Sequence, residues 1–319
     1  MPANNLGFSL VELLVAMAIG VVLVGGALTV HIQSHDAHTF AERMARIQEN
    51  GRFAVDTISP DIRLAGFWGR TEKAGSISRR TGDALNPMPA AMTPANDCYA
   101  GYFTNVTRRI EAANEDQLGA ANPFAACIPD TARLPGTDIL VVRHAAATAT
   151  APANIVNGRV YIISNALTAE LFVGGLMPIP AGYGAADTIH EVEVNAYYVS
   201  PNSSAGVGIP ALNRLELGDG PLLVNQELIS GVEDLQVQLG IDTDGTGSVN
   251  SYVNPGSAAI AGATIIANRA WVRVRGERVD LDYTDGATYE YADRQVEPND
   301  SFRRMLLSKT LRIRNGLGT

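Results

Sequence analysis

Cysteine is nearly absent from this chain of 319 residues, with only Cys98 and Cys127 present. No Cys-x-x-Cys spacing occurs, so thiolate zinc sites and thioredoxin-like chemistry find no support. The sequence also lacks a Gly-x-Ser-x-Gly elbow, an HExxH pair and a phosphate-binding glycine loop, and neither cysteine has a persuasive histidine partner. His144 and His190 stand isolated among strand-like segments and read as surface or satisfied core residues. No enzymatic role is expected. Cations are scarce, with 24 Lys and Arg against 33 Asp and Glu and a formal net charge of −9. That balance argues against nucleic acid as the main partner, because phosphate binding needs clustered Lys and Arg. Internal repeats and linker-like stretches are missing as well.

What is present begins at the N-terminus. Leu13–Val30 is a run of 18 residues without a charge, close to the ~20 needed for a helix to span a bilayer. Glu12 stands at its threshold, where burying a lone carboxylate would cost roughly 2.5–3.5 kcal/mol. A secretory signal peptide would carry a basic n-region and a small-x-small cleavage site, whereas MPANNLG holds no Lys or Arg. A plain membrane anchor fits the length and leaves Glu12 unexplained.

The stretch Gly7-Phe8-Ser9-Leu10-Val11-Glu12-Leu13-Leu14 resembles the type IV prepilin signal, G-F-[ST]-L-[IV]-E-x-x. The resemblance implies that a prepilin peptidase cuts between Gly7 and Phe8, that the new amino group of Phe8 is methylated, and that Glu12 is retained. Glu12 then has a cation to meet: the processed amine of a neighbouring subunit in a staggered helix bundle. Because removing one member of a buried pair costs roughly 3–5 kcal/mol, Phe8 and Glu12 would set subunit registry. The leader departs from the family pattern in lacking a basic residue.

Beyond the apolar run, Phe40, Met44, Ile47, Gly51, Ala54 and Ile58 recur at spacings of four and three, one stripe on an amphipathic helix. Ser59-Pro60 is expected to end it. A continuous helix from Phe8 to Ile58 would be roughly 75 Å long. Downstream, residues 66–135 are proline-rich and loop-like. Alternating strand signals then follow at 138–143, 159–164, 191–199, 212–217, 232–239, 269–275, 278–283 and 306–314. The expected fold class is α+β, type IV pilin-like: a long N-terminal α-helical spine packed on an antiparallel β-sheet head with long loops. Three further patches resemble PilW-type minor pilins, namely Asp61-Ile62-Arg63-Leu64-Ala65-Gly66-Phe67, GVEDLQVQLGI over 231–241 followed by Asp242, and Phe302-Arg303-Arg304 with the closing LRIRN. J-type pseudopilins of type II secretion share part of them.

Two further sites stand out. An even pair of cysteines in an exported chain reads as a Cys98–Cys127 disulfide, the alternative being two unpaired buried thiols. The segment DTDGTGSVNSYV places Asp242, Asp244, Thr246 and Asn250 at alternating positions of a calcium-binding loop, yet Val253 stands where a bidentate acid belongs. A Gly/Asp hairpin turn explains the same residues, and both readings stay open. His31, His35 and His38 share a helix face just outside the apolar run and read as interfacial polar residues.

The expected organisation is a removed leader at 1–7, a transmembrane and filament-core half of the helix at 8–34, an amphipathic half at 35–66 and a periplasmic head at 67–319. The resemblance implies a minor pilin that joins a minor-pilin complex priming pilus assembly near the tip. Its implied partners are the prepilin peptidase, other minor pilins, the major pilin and a tip adhesin. The chain would reside in the inner membrane as a single-pass protein and later in the extracellular pilus. No cofactor is required, with calcium the one candidate. The alternatives are a type II secretion pseudopilin and, in another class, a tip-exposed surface- or DNA-binding protein.

Overall fold

The computed structural model describes residues 9–87, 96–220 and 222–315. The chain separates into two compact units, one ending at Arg46 and the other starting at Ile47. A single helix, α1 (Leu10–Leu64), supplies the described secondary structure of the first unit. Its apolar side chains from Leu10 to Ile32 are exposed all round, Val21 and Val22 at 73% each, and the helix is long and apolar enough to cross a membrane. His35 and His38 are exposed beside Asp36 and Glu42 on the same helix.

Burial along α1 starts at Ile47 and continues through Gly51, Ala54, Ile58 and Ile62, the latter part of the apolar stripe. Helix continues through Pro60 rather than ending at Ser59, a correction to the sequence reading. Pro60 removes one N–H from the ladder. Around it, Ile58, Ser59 and Ile62 are buried, and Ser59 Oγ donates to the Val55 carbonyl at 2.5 Å. Tertiary burial on both sides of the proline outweighs the missing bond. The helix ends at Leu64, and Gly66 just beyond it has a φ of +77° that suits a residue without a Cβ, its N–H donating to the Arg143 carbonyl at 3.0 Å.

The second unit holds two main sheets and a short ribbon. The first sheet comprises β1 (Ile77–Ser78), β2 (Ile110–Ala113), β3 (Ile139–Ala145), β4 (Val160–Ser164), β5 (Ala169–Val173), β6 (Thr188–Ser200), β7 (Ala211–Leu217) and β8 (Leu223–Ser230). Its main path runs β1-β5-β4-β6-β3-β2, and β7 also pairs with β6 and carries β8. The second sheet contains β9 (Val232–Asp242), β10 (Ser251–Val253) and β11 (Thr264–Arg275). A ribbon of β12 (Tyr289–Tyr291) and β13 (Arg294–Val296) follows, and β14 (Arg304–Arg312) then completes the second sheet in the order β10-β9-β11-β14. The described pairings are antiparallel except β1 with β5. The class is α+β.

The expected strand at 278–283 does not form. Val279, Leu281 and Tyr283 alternate correctly, yet Val279 is 47% and Leu281 87% exposed, so no surface receives the apolar side. The chain turns there instead, with Tyr283 N–H donating to the Asp280 carbonyl and Arg303 Nε to Asp280 Oδ2. Alternation is a strand signal only where one face is buried.

One large core lies under the first sheet, where Trp68, Tyr102, Phe103 and Phe124 from the loop-rich stretch pack on Val141, Ile162, Leu171 and Val194. Each such side chain contributes about 1.5–3 kcal/mol by leaving water. The two sheets are tied by Asp138, whose N–H donates to the Leu235 carbonyl and whose Oδ2 accepts from Val237 N–H at 2.8 Å.

Candidate functional site

Gly7 and Phe8 lie outside the described residues. Glu12 is described, and its carboxylate is engaged within its own helix. Ser9 N–H and Ser9 Oγ donate to Glu12 Oε2 at 3.0 and 3.2 Å, and Glu12 N–H donates to Ser9 Oγ at 3.2 Å. This is a capping box, Ser at the N-cap and Glu three residues on, satisfying two of the helix's otherwise orphaned donors. The S-x-x-E spacing of Ser9-Leu10-Val11-Glu12 carries this motif in the sequence itself, although the apolar run beside it draws attention to Glu12 as a misplaced charge.

Cys98 and Cys127 form a disulfide, with Cα atoms 4.6 Å apart. The loop it closes carries Tyr99, Tyr102, Arg108 and Glu111, and all four converge on Arg143 of β3. Arg143 is fully buried and donates from Nε to the Tyr102 carbonyl, from Nη1 to the Arg108 carbonyl, and from Nη2 to Tyr99 Oη. Its Nη2 also stands 2.6 Å from Glu111 Oε2, and its guanidinium lies over the Tyr102 ring. Burial alone would raise the Glu111 pKa, but Arg143, Tyr99 and Arg108 outweigh it and hold the carboxyl below its ordinary value.

The Asp/Gly segment forms the hairpin between β9 and β10. Asp242 Oδ1 accepts from the N–H groups of Asp244 and Gly245, and Asp242 Oδ2 accepts from Gly247 N–H at 2.7 Å. Asp244 Oδ1 takes Thr246 N–H and Oγ1–H, while its Oδ2 accepts from Asn250 Nδ2. Asn250 Oδ1 in turn accepts from Thr243 N–H. These bonds from Thr246, Asn250 and the Thr246 amide push the Asp244 pKa down to about 2. The four candidate ligand residues are brought together, and their oxygens are turned onto the loop's own donors.

A third cluster had no place in the sequence reading. Asp61 of α1, His144 of β3 and Glu193 of β6 present ligand atoms within 4.8 Å of one another. His144 and Glu193 are cross-strand neighbours, and Asp61 comes down from the helix. Asp61 Oδ2 accepts from Asn195 Nδ2 and Tyr197 Oη–H, both at 2.6 Å. Burial acts to raise the Asp61 pKa, and His144, Tyr197 and Asn195 reverse that and lower it. For His144, burial acts downward, but contact with Asp61 prevails and the pKa is raised. His190, the other isolated histidine, is a satisfied core residue: its Nδ1 pairs with the Ala146 carbonyl and its ring meets Phe67 edge-on.

A cleft of about 800 Å³ is lined by Trp68, Arg109, Phe124, Leu239, Ile260 and Ile265 among others. Its most deeply placed cation, Arg109, donates to the carbonyls of Asn315 and Ile265, and burial lowers its pKa.

Three comparisons with known proteins bear on the chain. Residues 196–315 match the family described as Type IV Pilus-assembly protein W, and residues 2–28 match the prokaryotic N-terminal methylation motif. No curated protein matches the chain. Among solved structures, a type IV-like pilin from Thermus thermophilus is similar at 15% identity and a TM-score of 0.27, covering 51% of this chain and 86% of that one.

Proposed function

We propose, from the match of residues 196–315 to the family described as Type IV Pilus-assembly protein W and of residues 2–28 to the N-terminal methylation motif, that the chain is a PilW-type minor pilin that enters a minor-pilin complex, primes pilus assembly and stays near the tip. The observation that carries this reading is the first unit of the chain. Directly after a prepilin-type motif, Leu10 to Ile32 expose apolar side chains all round the helix. A surface of that kind needs lipid before assembly and other helices afterwards.

In this reading the prepilin peptidase removes residues 1–7 while residues 8–34 hold the chain in the inner membrane. The amphipathic half at 35–66 leads to a periplasmic head at 67–319, and the chain then moves into the pilus beside other minor pilins and the major pilin. A tip adhesin is the further partner proposed. Glu12 sets the axial stagger by meeting the processed amine of Phe8 on a neighbour. The family and fold are those of structural subunits, and the head's role is to make side contacts with unlike neighbours.

Deletion of the gene, with complementation by the intact chain, tests the pilus role. Loss of surface fibres and of twitching is the expected result. Intact fibres with lost protein secretion would instead assign the chain to a secretion pseudopilus. Cross-linking mass spectrometry of assembled pili would then identify the neighbours.

A further inference from the structure

The imidazole of His144 sets an unusual electrostatic condition. Its Nδ1 lies 3.0 Å from the Ala145 carbonyl, which can only accept, so Nδ1 carries a proton. The other nitrogen, Nε2, is buried and has no hydrogen-bond partner. It faces Asp61 Oδ1 at 3.5 Å and Glu193 Oε2 at 3.7 Å. Three acceptor atoms thus converge on one point. Both separations exceed the 2.7–3.2 Å of an N–H···O hydrogen bond, so a proton on Nε2 would bridge neither carboxylate well.

The spacing suits a larger cation. Around an ion with bonds of about 2.0–2.1 Å, tetrahedral ligand atoms lie about 3.4 Å apart. The observed 3.5 and 3.7 Å from Nε2 need only a small contraction, and the ligand atoms all lie within 4.8 Å of one another. Glu193, whose side chain is 40% exposed, is free to supply it and also leaves the site open to solvent. The surroundings orient the ligands as metal sites require: the Nδ1–H of His144 is tied to a backbone carbonyl, and Asp61 is aimed by Tyr197 and Asn195 acting on its other oxygen. Two carboxylates and a neutral imidazole give a donor set of charge −2.

We propose that Asp61, His144 and Glu193 bind one divalent transition-metal ion of the zinc class. An imidazole donor selects against calcium and magnesium, which take oxygen ligands. The ion staples the last turns of α1 to β3 and β6, so it secures the helix on the sheet at a point where the chain otherwise holds two facing carboxylates. This site is separate from the Asp242–Asn250 hairpin, whose oxygens are engaged by the loop itself.

The test uses the full chain in detergent, without an affinity tag, with His31, His35 and His38 changed to Asn to remove the other closely spaced imidazoles. After treatment with a chelator, zinc is titrated calorimetrically. One ion per chain is expected, together with a zinc-dependent rise in the thermal midpoint. Glu193→Gln and His144→Gln should each weaken binding by about tenfold or more and abolish the rise. Glu193→Gln alters a partly exposed side chain, so its result stands even where His144→Gln fails to fold. Asp244→Ala should leave binding unchanged. Zinc absorption-edge spectra should show imidazole and oxygen ligands. Absence of one-to-one binding overturns the proposal, as does binding that survives Glu193→Gln or is lost in Asp244→Ala.

Discussion

Arg143 Nη2 stands 2.6 Å from Glu111 Oε2, and this ion pair joins the disulfide-closed segment to β3 of the first sheet. Replacing Arg143 with Met would keep much of the volume but remove the donor to the Tyr102 and Arg108 carbonyls and leave Glu111 with only Tyr99 Oη–H and Arg108 as partners. Removing one partner of a buried pair costs about 3–5 kcal/mol. Arg143→Met is expected to lower stability by that amount in denaturant unfolding of the head, and Glu111→Gln by less, since the amide retains part of the hydrogen bonding. A loss below about 1 kcal/mol for Arg143→Met would show that the loop is held by its apolar contacts alone.

The same pair sets a pH dependence. The folded-state pKa of Glu111 is depressed, so the unfolded chain binds its proton more readily. Its contribution is therefore complete above about pH 4.3, the ordinary glutamate value, and is lost as pH falls through the lower folded value. Asp138 behaves oppositely. Burial, with Asp293, Asp234 and Glu115 nearby, raises its pKa well above the ordinary range. The folded state keeps that proton longer, so stability is full below about pH 3.9 and declines as pH rises towards the folded value. Asp138→Asn should therefore gain stability over the parent at pH 7 and none at pH 3.5, and Glu111→Gln should flatten the acid limb. Unfolding midpoints across pH 3–8 would check both signs.

The loop around Arg143 shows how far the sequence could be read. Its cysteines are paired by their number and the export signal, and the strands at 232–239 and 269–275 are legible because their alternating apolar side chains Leu235, Val237, Val272 and Val274 are buried. Val279, Leu281 and Tyr283 gave the same alternation over a solvated turn, because periodicity records a pattern and not the surface that receives it. Pro60 reads locally as a stop, since the tertiary burial of Ile58 and Ile62 is invisible in the sequence. The Asp61–His144–Glu193 cluster could not be read at all. Its members come from a helix and two strands, and only the β3–β6 register and the docking of α1 bring them together. Ser9 and Glu12, by contrast, form a local motif that was fully visible.

Reducing the Cys98–Cys127 bond, or replacing both residues with Ala, should destabilise the head by about 3–4 kcal/mol. The bond spans 29 residues, and the estimate follows the chain-entropy model. The effect should concentrate in the segment between the cysteines. Hydrogen exchange there should rise before exchange in β9 and β11, which pair along nearly their full length. Uniform loosening of both sheets would contradict a local role.

Gly66, just beyond α1, lies in the left-handed region, and a Cβ added there would stand 2.7 Å from Arg109 Cδ. Arg109 is fixed by its bonds to the Ile265 and Asn315 carbonyls, so it has little room to yield. Gly66→Ala should cost at least the about 1–2 kcal/mol of placing an L-residue in this conformation. Gly82 has a similar φ of +82° with open space around it, so Gly82→Ala isolates the backbone cost from the packing cost. A larger loss at Gly66 than at Gly82 is the expected thermal-denaturation result.

The cap that Glu12 forms on its own helix can be separated from its proposed partnership with a neighbour's amine. The capping box tolerates Gln in place of Glu, because an amide oxygen also accepts from the N-cap donors. The intersubunit pair does not, because it needs a charge to oppose the processed amine of Phe8. Glu12→Ala removes both roles, and Glu12→Gln removes only the second. Both variants should still be cut between Gly7 and Phe8, as the mass of the mature N-terminus would show. Both should be depleted from purified pili relative to the parent chain, by about tenfold or more if the pair is worth even half of the 3–5 kcal/mol typical of broken buried pairs. Normal incorporation of Glu12→Gln beside failure of Glu12→Ala would reduce Glu12 to a helix cap and leave the axial stagger to be set by apolar packing of residues 8–34.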